Sequence, residues 1–241
     1  MLCHTGLVWG SVVDGRTLTF RLTGINNQNF VMQDEETGSW WQQVSGQAFL
    51  GPLKGRQLTL ISGDQLTFAT WKSESPKGRV LAPEPSVVAK GGYAPVDWEV
   101  RMQRNPAPAS ASADARLEPR VLVIGIDRGN ESRAYPVERI TASRVVMDDL
   151  GGSAIAIVRA PDGRSTRVFD RRVDGQALEL FAKEGASPLR MLDTNTGSEW
   201  DFTGTAVGGP LVGRTLQRVP FLEEYWFDWR TYHPNTEVAR R

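Results

Sequence analysis

The sequence predicts a mostly-β protein, a β-rich α+β fold built as a tandem pseudo-repeat of antiparallel hairpins, each copy ending in a short helix. Three observations lead there. Residues 32–58 and 191–216 are near-copies, matched at Asp34/Asp193, Gly38/Gly197, Trp41/Trp200, Gly46/Gly204, Gly51/Gly209 and Pro52/Pro210. Short runs with apolar alternation are separated at close intervals by Gly, Pro and Asp turn signals. The period then changes near the end of each copy, where Trp71/Trp229 and Pro76/Pro234 align. A self-similar period of this kind outranks local propensity when a fold is inferred.

Taken in order, Leu7 to Val13 is apolar, Asp14-Gly15 is a hairpin signal, and Leu18, Phe20 and Leu22 alternate onto one face. The amide-rich stretch Gly24 to Asn29 reads as a loop, because Asn and Gly favour turn conformations. Phe30 to Gln33 and Ser39 to Val44 form a second hairpin, and Arg56 to Ile61 resumes a strand. Asp64 is the expected cap of a helix through Trp71. Its counterpart is expected to start at Pro220, with Phe221, Tyr225 and Trp229 on one face. Residues 82–119 contain Pro, Gly, Ala and Ser with little to bury, so they read as a linker, flexible at 105–115.

Val121 to Ile126 is a strongly apolar strand that turns into Ser132 to Tyr135. Pro136 starts a short helix, and Val145 to Met147 and Ala154 to Val158 flank a turn-rich connection. The domain expectation is a first repeat over 1–81, the linker, and a complete second repeat over 120–241. Nothing before Met1 matches the strands of 120–158. Either the first copy borrows strands from the rest of the chain or the sequence is an N-terminally shortened reading of a longer protein; the second is the expectation.

With 241 residues the chain is long enough for a sizeable core. Lys plus Arg and Asp plus Glu balance at 28 each, which argues against nucleic acid or an anionic membrane surface as partner. No apolar run reaches the roughly 18 residues of a membrane helix, and the first residues lack a signal-peptide pattern. The single cysteine, Cys3, forms no internal disulfide.

The run 121–126, Ala134-Tyr135-Pro136, Asp148 to Gly152, Phe169-Asp170-Arg171, Asp193 to Ser198, Trp200, Gly209-Pro210-Leu211 and Trp229 to Pro234 resembles the bacterial and archaeal family called domain of unknown function 3179. Residues 3–76 resemble the same family from its middle onward. The resemblance implies no activity. It implies an exported setting, periplasmic or cell-surface, since members often carry secretion or lipoprotein signals. Where members commonly carry a Cys-Pro-x-Cys-like motif, this chain has Ala160-Pro161-Asp162-Gly163, and the first copy keeps only Cys3.

Residues shared by both copies are expected to serve the fold. Asp34/Asp193 at the head of an Asp-x-x-Thr-Gly turn are read as acceptors of backbone N–H groups rather than as an acid–base pair, and Trp41, Trp200, Trp71 and Trp229 as packing. His233, at a helix end before a proline, is read as a cation on the last carbonyls. Residues confined to the first copy are freer to function: Cys3, His4, Asn26, Asn27, Asn29, Gln42, Gln43 and Trp40. The leading expectation is a non-catalytic extracytoplasmic binding or scaffold module using Asn26, Asn27, Asn29 and Trp40, with a small molecule, glycan or protein as ligand. The alternative is a thiol- or metal-dependent enzyme centred on Cys3 and His4, with copper or zinc as the metal. A weaker third reading is carbohydrate binding. No phosphate loop, serine elbow or zinc helix is present.

Overall fold

The β-branched run Ala154 to Val158 leaves no polar face, and the structure shows why: this strand is buried on both sides. In a computed structural model, residues 6–26, 29–106, 114–128 and 130–239 are described. The first half contains β1 (Val8–Trp9), β2 (Val12–Val13), β3 (Arg16–Thr17), β4 (Phe20–Asn26), β5 (Asn29–Asp34), β6 (Trp40–Gln42), β7 (Ala48–Leu50), β8 (Leu60–Ile61) and α1 (Phe68–Glu74). Two short helices follow, α2 (Pro85–Ala89) and α3 (Trp98–Arg104).

The second half opens with β9 (Leu122–Arg128), β10 (Glu131–Pro136), α4 (Val137–Ser143), β11 (Val145–Leu150), β12 (Ser153–Arg159) and β13 (Thr166–Asp170). It continues with β14 (Arg172–Val173), β15 (Gln176–Ala177), β16 (Leu180–Ala182), β17 (Arg190–Asp193), β18 (Glu199–Asp201), β19 (Ala206–Gly208) and β20 (Gln217–Arg218). The chain ends with β21 (Leu222–Tyr225), α5 (Trp226–Tyr232) and β22 (Glu237–Val238). The protein is thus mostly β, with several antiparallel sheets and a few short helices. One pair, β10 with β22, is parallel.

The sheets stack in layers. Ala156, Val158 and Phe169, from the sheet β11-β12-β13-β20, pack with Leu180, Met191 and Trp200 of the sheet β16-β17-β18-β19. The intervening residues Ile155, Ile157 and Val168 face the other way, onto Ile124, Ile126 and Tyr135 of the sheet β21-β9-β10-β22. Period-two alternation sends neighbouring side chains to opposite faces, so a strand between two layers must be apolar throughout. β9 repeats this logic. Its Val123 faces a third core with Leu222, Trp226 and Trp229, which Leu7 and Val44 of the first half also join. Gly125 is required here by close approach, since a Cβ on it would overlap the Trp229 indole.

The near-copied stretches fold alike. Sheet β4-β5-β6-β7 has the same order as β16-β17-β18-β19, and both are bulged at the same place, Trp40/Trp41 and Glu199/Trp200. Asp34 accepts the Thr37 amide at 2.6 Å and the Trp41 indole N–H at 2.8 Å; Asp193 accepts Thr196 at 2.6 Å and Trp200 at 2.9 Å. Both carboxylates and both indoles are buried, as the turn and packing assignments anticipate. Gly46 and Gly204, both at positive φ, make room for Trp9 and Phe169 on the matching first strands. Burial alone raises the Asp34 carboxyl, but the Trp41, Thr37 and Ser39 donors outweigh it and hold the group below its ordinary value.

Several local expectations differ from the structure. Leu18 is buried and Phe20 half-buried, but Leu22 is exposed, because the β4–β5 register shifts between Leu22 and Gly24. The amide-rich stretch is largely strand: β4 reaches Asn26 and β5 begins at Asn29. Asp64 caps nothing; Thr67 is the N-cap of α1, and Asp64 instead pairs with Arg167 and Arg218. Pro220 does not start a helix, since Leu222–Tyr225 pairs with β9 and α5 begins only at Trp226. Tertiary pairing overrides the helical spacing there. The stretch read as a linker carries α2 and α3, and 107–113 lie outside the described residues.

Replacing Asp193 with Ala strips the Thr196 amide and Trp200 indole of their acceptor. We expect a stability loss of about 3 kcal/mol in urea denaturation, with Asp193→Asn retaining part of it. An unchanged midpoint for Asp193→Ala would mean the turn is held by packing alone.

Candidate functional site

The two halves meet along a polar seam. The Asn29 side-chain amide donates to both Asp228 carboxylate oxygens, at 2.7 and 2.9 Å, and all these groups are buried. Gln42 donates to the Tyr232 hydroxyl at 3.0 Å, and that hydroxyl donates to the Asn26 carbonyl at 3.2 Å. At the other contact Arg167 pairs with Asp64 at 2.8 Å and Glu74 at 2.5 Å, while its guanidinium lies over Phe202. Burial would lower the Arg167 pKa, but the Glu74 and Asp64 carboxylates raise it overall, so the charge persists. Nearby, Asp162 accepts from Ser165, Thr67 and Thr70. It thereby ties β13's loop to the start of α1.

Beside the seam opens a cleft of about 540 Å3. Its first-half wall is Trp9, Leu58 and Leu60, and its second-half wall is Gly125, Leu222 and Trp229. Trp9 is held in place because its indole N–H donates to the Gln43 carbonyl at 2.8 Å. Trp229 is held by Thr236, at 2.8 Å. Among the lining residues Ser45, Gln57 and Tyr232 are polar, and Asp127 and His233 form a titratable pair.

His233 is the C-cap of α5; its ring stacks on Trp229 with centroids 3.6 Å apart and planes 14° from parallel. Its Nδ1 lies 3.1 Å from the Trp229 carbonyl. A carbonyl oxygen only accepts, so Nδ1 carries the hydrogen and the neutral ring keeps Nε2 as an acceptor. That Nε2 lies 3.8 Å from an Asp127 carboxylate oxygen. Burial pushes the imidazole below its ordinary value, against the Trp229 carbonyl and Asp127, which favour the charged form. At neutral pH the cleft therefore presents a neutral imidazole acceptor beside the Asp127 side chain.

A second hollow, of about 470 Å3, lies where Arg133 bridges Asp148 at 2.6 Å and Glu237 at 2.9 Å. The Tyr135 hydroxyl donates to the same Asp148 carboxylate, and burial raises that phenol. These charges compensate one another, so the cleft between the halves is the better candidate.

Among the residues expected to bind a ligand, Asn29 is buried at the seam and Asn26 is exposed, its carbonyl engaged by Tyr232. Trp40 is half-buried and packs edge-on against Phe49, with centroids 6.5 Å apart. Asn27, Cys3 and His4 lie outside the described residues. No group of three or more His, Cys, Asp or Glu suited to a metal occurs among the described residues. No described helix is long and apolar enough to cross a membrane.

Comparison with known families gives one match, to the family described as Protein of unknown function (DUF3179), over residues 1–236. The chain belongs to the DUF3179 family. The match runs through both halves of this DUF3179 protein as one span, cleft included. No curated protein and no solved structure matches it. The Asp127–His233 pair was not singled out from the sequence, although a signal existed. His233 aligns with Ser75, the C-cap of α1, so it too is a polar residue present in one copy only.

Because the folded pKa of His233 lies below 6.5, the unfolded chain takes up the proton first as pH falls. The His233 contribution is therefore fully retained above about pH 6.5 and declines below it, towards the folded pKa. Urea stability at pH 7.5 and 5.5 is expected to fall more for the native protein than for His233→Asn; equal falls would contradict a buried neutral imidazole.

Proposed function

We propose that this DUF3179 protein is a non-catalytic binding module whose ligand occupies the cleft between the halves. One observation carries the reading. A cavity of about 540 Å3, walled mainly by Leu7, Trp9, Leu58, Leu222 and Trp229, has a few polar lining residues, Ser45, Gln57, Tyr232 and the Asp127–His233 pair. Small-molecule sites typically have this volume and this ratio of apolar wall to placed polar groups. A ligand with an aromatic or aliphatic body and a hydrogen-bond donor, amine or hydroxyl, complements a carboxylate beside a bare imidazole nitrogen.

In this reading the chain is two copies of one structural unit, and the matched Asp, Thr, Ser and Trp bonds support that duplication. The amide-rich residues of the first copy act indirectly: the Asn29 side-chain amide and the Asn26 backbone carbonyl anchor Asp228 and Tyr232, and so the position of α5 and His233. Trp40 stands apart from the cleft as a second aromatic contact. An extracytoplasmic setting accords with the family resemblance. The alternative thiol or metal centre at Cys3 and His4 has no described geometry to support it.

The test is a ligand-observed NMR screen of aromatic and aliphatic amine and alcohol fragments against the full chain. Hits are expected to lose binding in Ser45→Phe, which places a ring at the cleft rim. Amine hits are expected to weaken roughly tenfold in Asp127→Asn, about 1.4 kcal/mol. Fragments that bind Ser45→Phe as well as the native protein would overturn the assignment.

A further inference from the structure

The cleft is lined by aromatic side chains whose polar edges already have partners in the protein. The Trp9 indole N–H donates to the Gln43 carbonyl and that of Trp229 to the Thr236 hydroxyl, each at 2.8 Å. The Tyr232 hydroxyl accepts from Gln42 and gives its own hydrogen to the Asn26 carbonyl. Phe221 has no polar edge at all. These side chains therefore turn carbon, and not hydrogen-bond donors, toward a ligand.

The remaining lining groups follow the same pattern. Gln57 places its amide hydrogens on the Ser45 and Leu58 carbonyls. Neutral His233 has one ring hydrogen, and the Trp229 carbonyl takes it at Nδ1. Among the described residues that line the cleft there is no Lys or Arg, and Asp127 is the one acidic residue. Of the described lining side chains, only the Ser45 hydroxyl keeps a hydrogen to offer.

What the cleft does offer is a pair of acceptors at one point. An Asp127 carboxyl oxygen and His233 Nε2 stand 3.8 Å apart, and with the ring hydrogen on Nδ1 none lies between them. Among the described residues, the side-chain hydrogen bonds and ion pairs of these two are with each other and with the Trp229 carbonyl. Two facing acceptors are bridged by a single centre only if it carries at least two hydrogens. A hydroxyl carries one. A primary ammonium carries three, and its charge strengthens each bond it donates.

We infer that the ligand of this cleft is a primary alkyl- or arylalkylammonium, whose nitrogen donates to Asp127 and His233 Nε2 together while its carbon body lies among Trp9, Phe221 and Tyr232. The inference rests on the cleft being the binding site and narrows its occupant to one chemical class.

The experiment titrates the full chain at pH 7.5, by ligand-observed NMR, with 2-phenylethylamine, its alcohol analogue 2-phenylethanol and its N,N,N-trimethyl derivative. The amine is charged there, as a lysine side chain is. It is expected to bind roughly tenfold more tightly than the alcohol. The trimethyl derivative keeps the charge but has no N–H, so it is expected to bind no more tightly than the alcohol. Asp127→Asn removes the advantage of the amine and leaves binding of the alcohol little changed. Equal binding of amine and alcohol, both lost in Ser45→Phe, would overturn the ammonium assignment while leaving the cleft as the site. A trimethyl derivative as tight as the amine would also overturn it, because charge and not N–H donation would then be recognised. Amine binding that survives Ser45→Phe would overturn the ammonium site and the cleft reading together. No binding of the amine overturns the ammonium assignment, and the fragment screen then decides the cleft reading separately.

Discussion

Two-sided burial of the strands β9 and β12 is the constraint on which the second half depends. Each serves two cores at once, so neither has a face to give to water. A polar residue at Ile155 or Ala156 would enter one core or the other without a partner, which is why the run is apolar without alternation. The same constraint demands Gly125, because β9 must approach the Trp229 ring more closely than any side chain allows. Everything outside this stack, including the first half, is arranged around it.

The first half joins the stack through both apolar and polar contacts, Leu66 packing on the core of Phe169 and Trp200. Leu7 and Val44 enter the core beside Trp229. The polar attachment includes Asn29 with Asp228, Gln42 with Tyr232, Arg167 with Asp64 and Glu74, and Asp162 with Thr67 and Thr70. Buried pairs of this kind add little over a well-packed apolar contact, yet removing one partner leaves a buried group unsatisfied. They specify orientation. The cleft is a product of that orientation: Asp127 from β9 and His233 from the end of α5 face a wall that a different docking angle would take away.

Comparison between the halves is what made the sequence informative. Residues matched between the two halves, Asp34/Asp193, Thr37/Thr196, Ser39/Ser198 and Trp41/Trp200, make the same bonds twice. Residues that differ between the matched stretches are where the two halves touch: Asn29, Gln42 and Tyr232 at one contact, Asp64 and Glu74 at the other. The amide cluster therefore had a visible signal, but the partner of Asn29 is Asp228, about 200 residues away, and no local pattern links them. Helix boundaries were legible only where local capping decides them. Val137–Ser143 follows Pro136 as the turn chemistry predicts, whereas Leu222–Tyr225 is drawn into a strand by β9 despite helical spacing.

The sequence by itself determined the β-rich class and the buried Asp–Trp turns, because these rest on interactions within about ten residues, encoded in spacing and residue type. The tertiary structure alone decided that Asp127 and His233 share a cleft and that Val8, Ile61 and Phe68 are exposed while the matched Val168, Val219 and Trp226 are core. Those outcomes depend on how layers far apart in the chain stack on one another. Burial is a property of what lies opposite, and a residue's own neighbours in sequence carry no record of it.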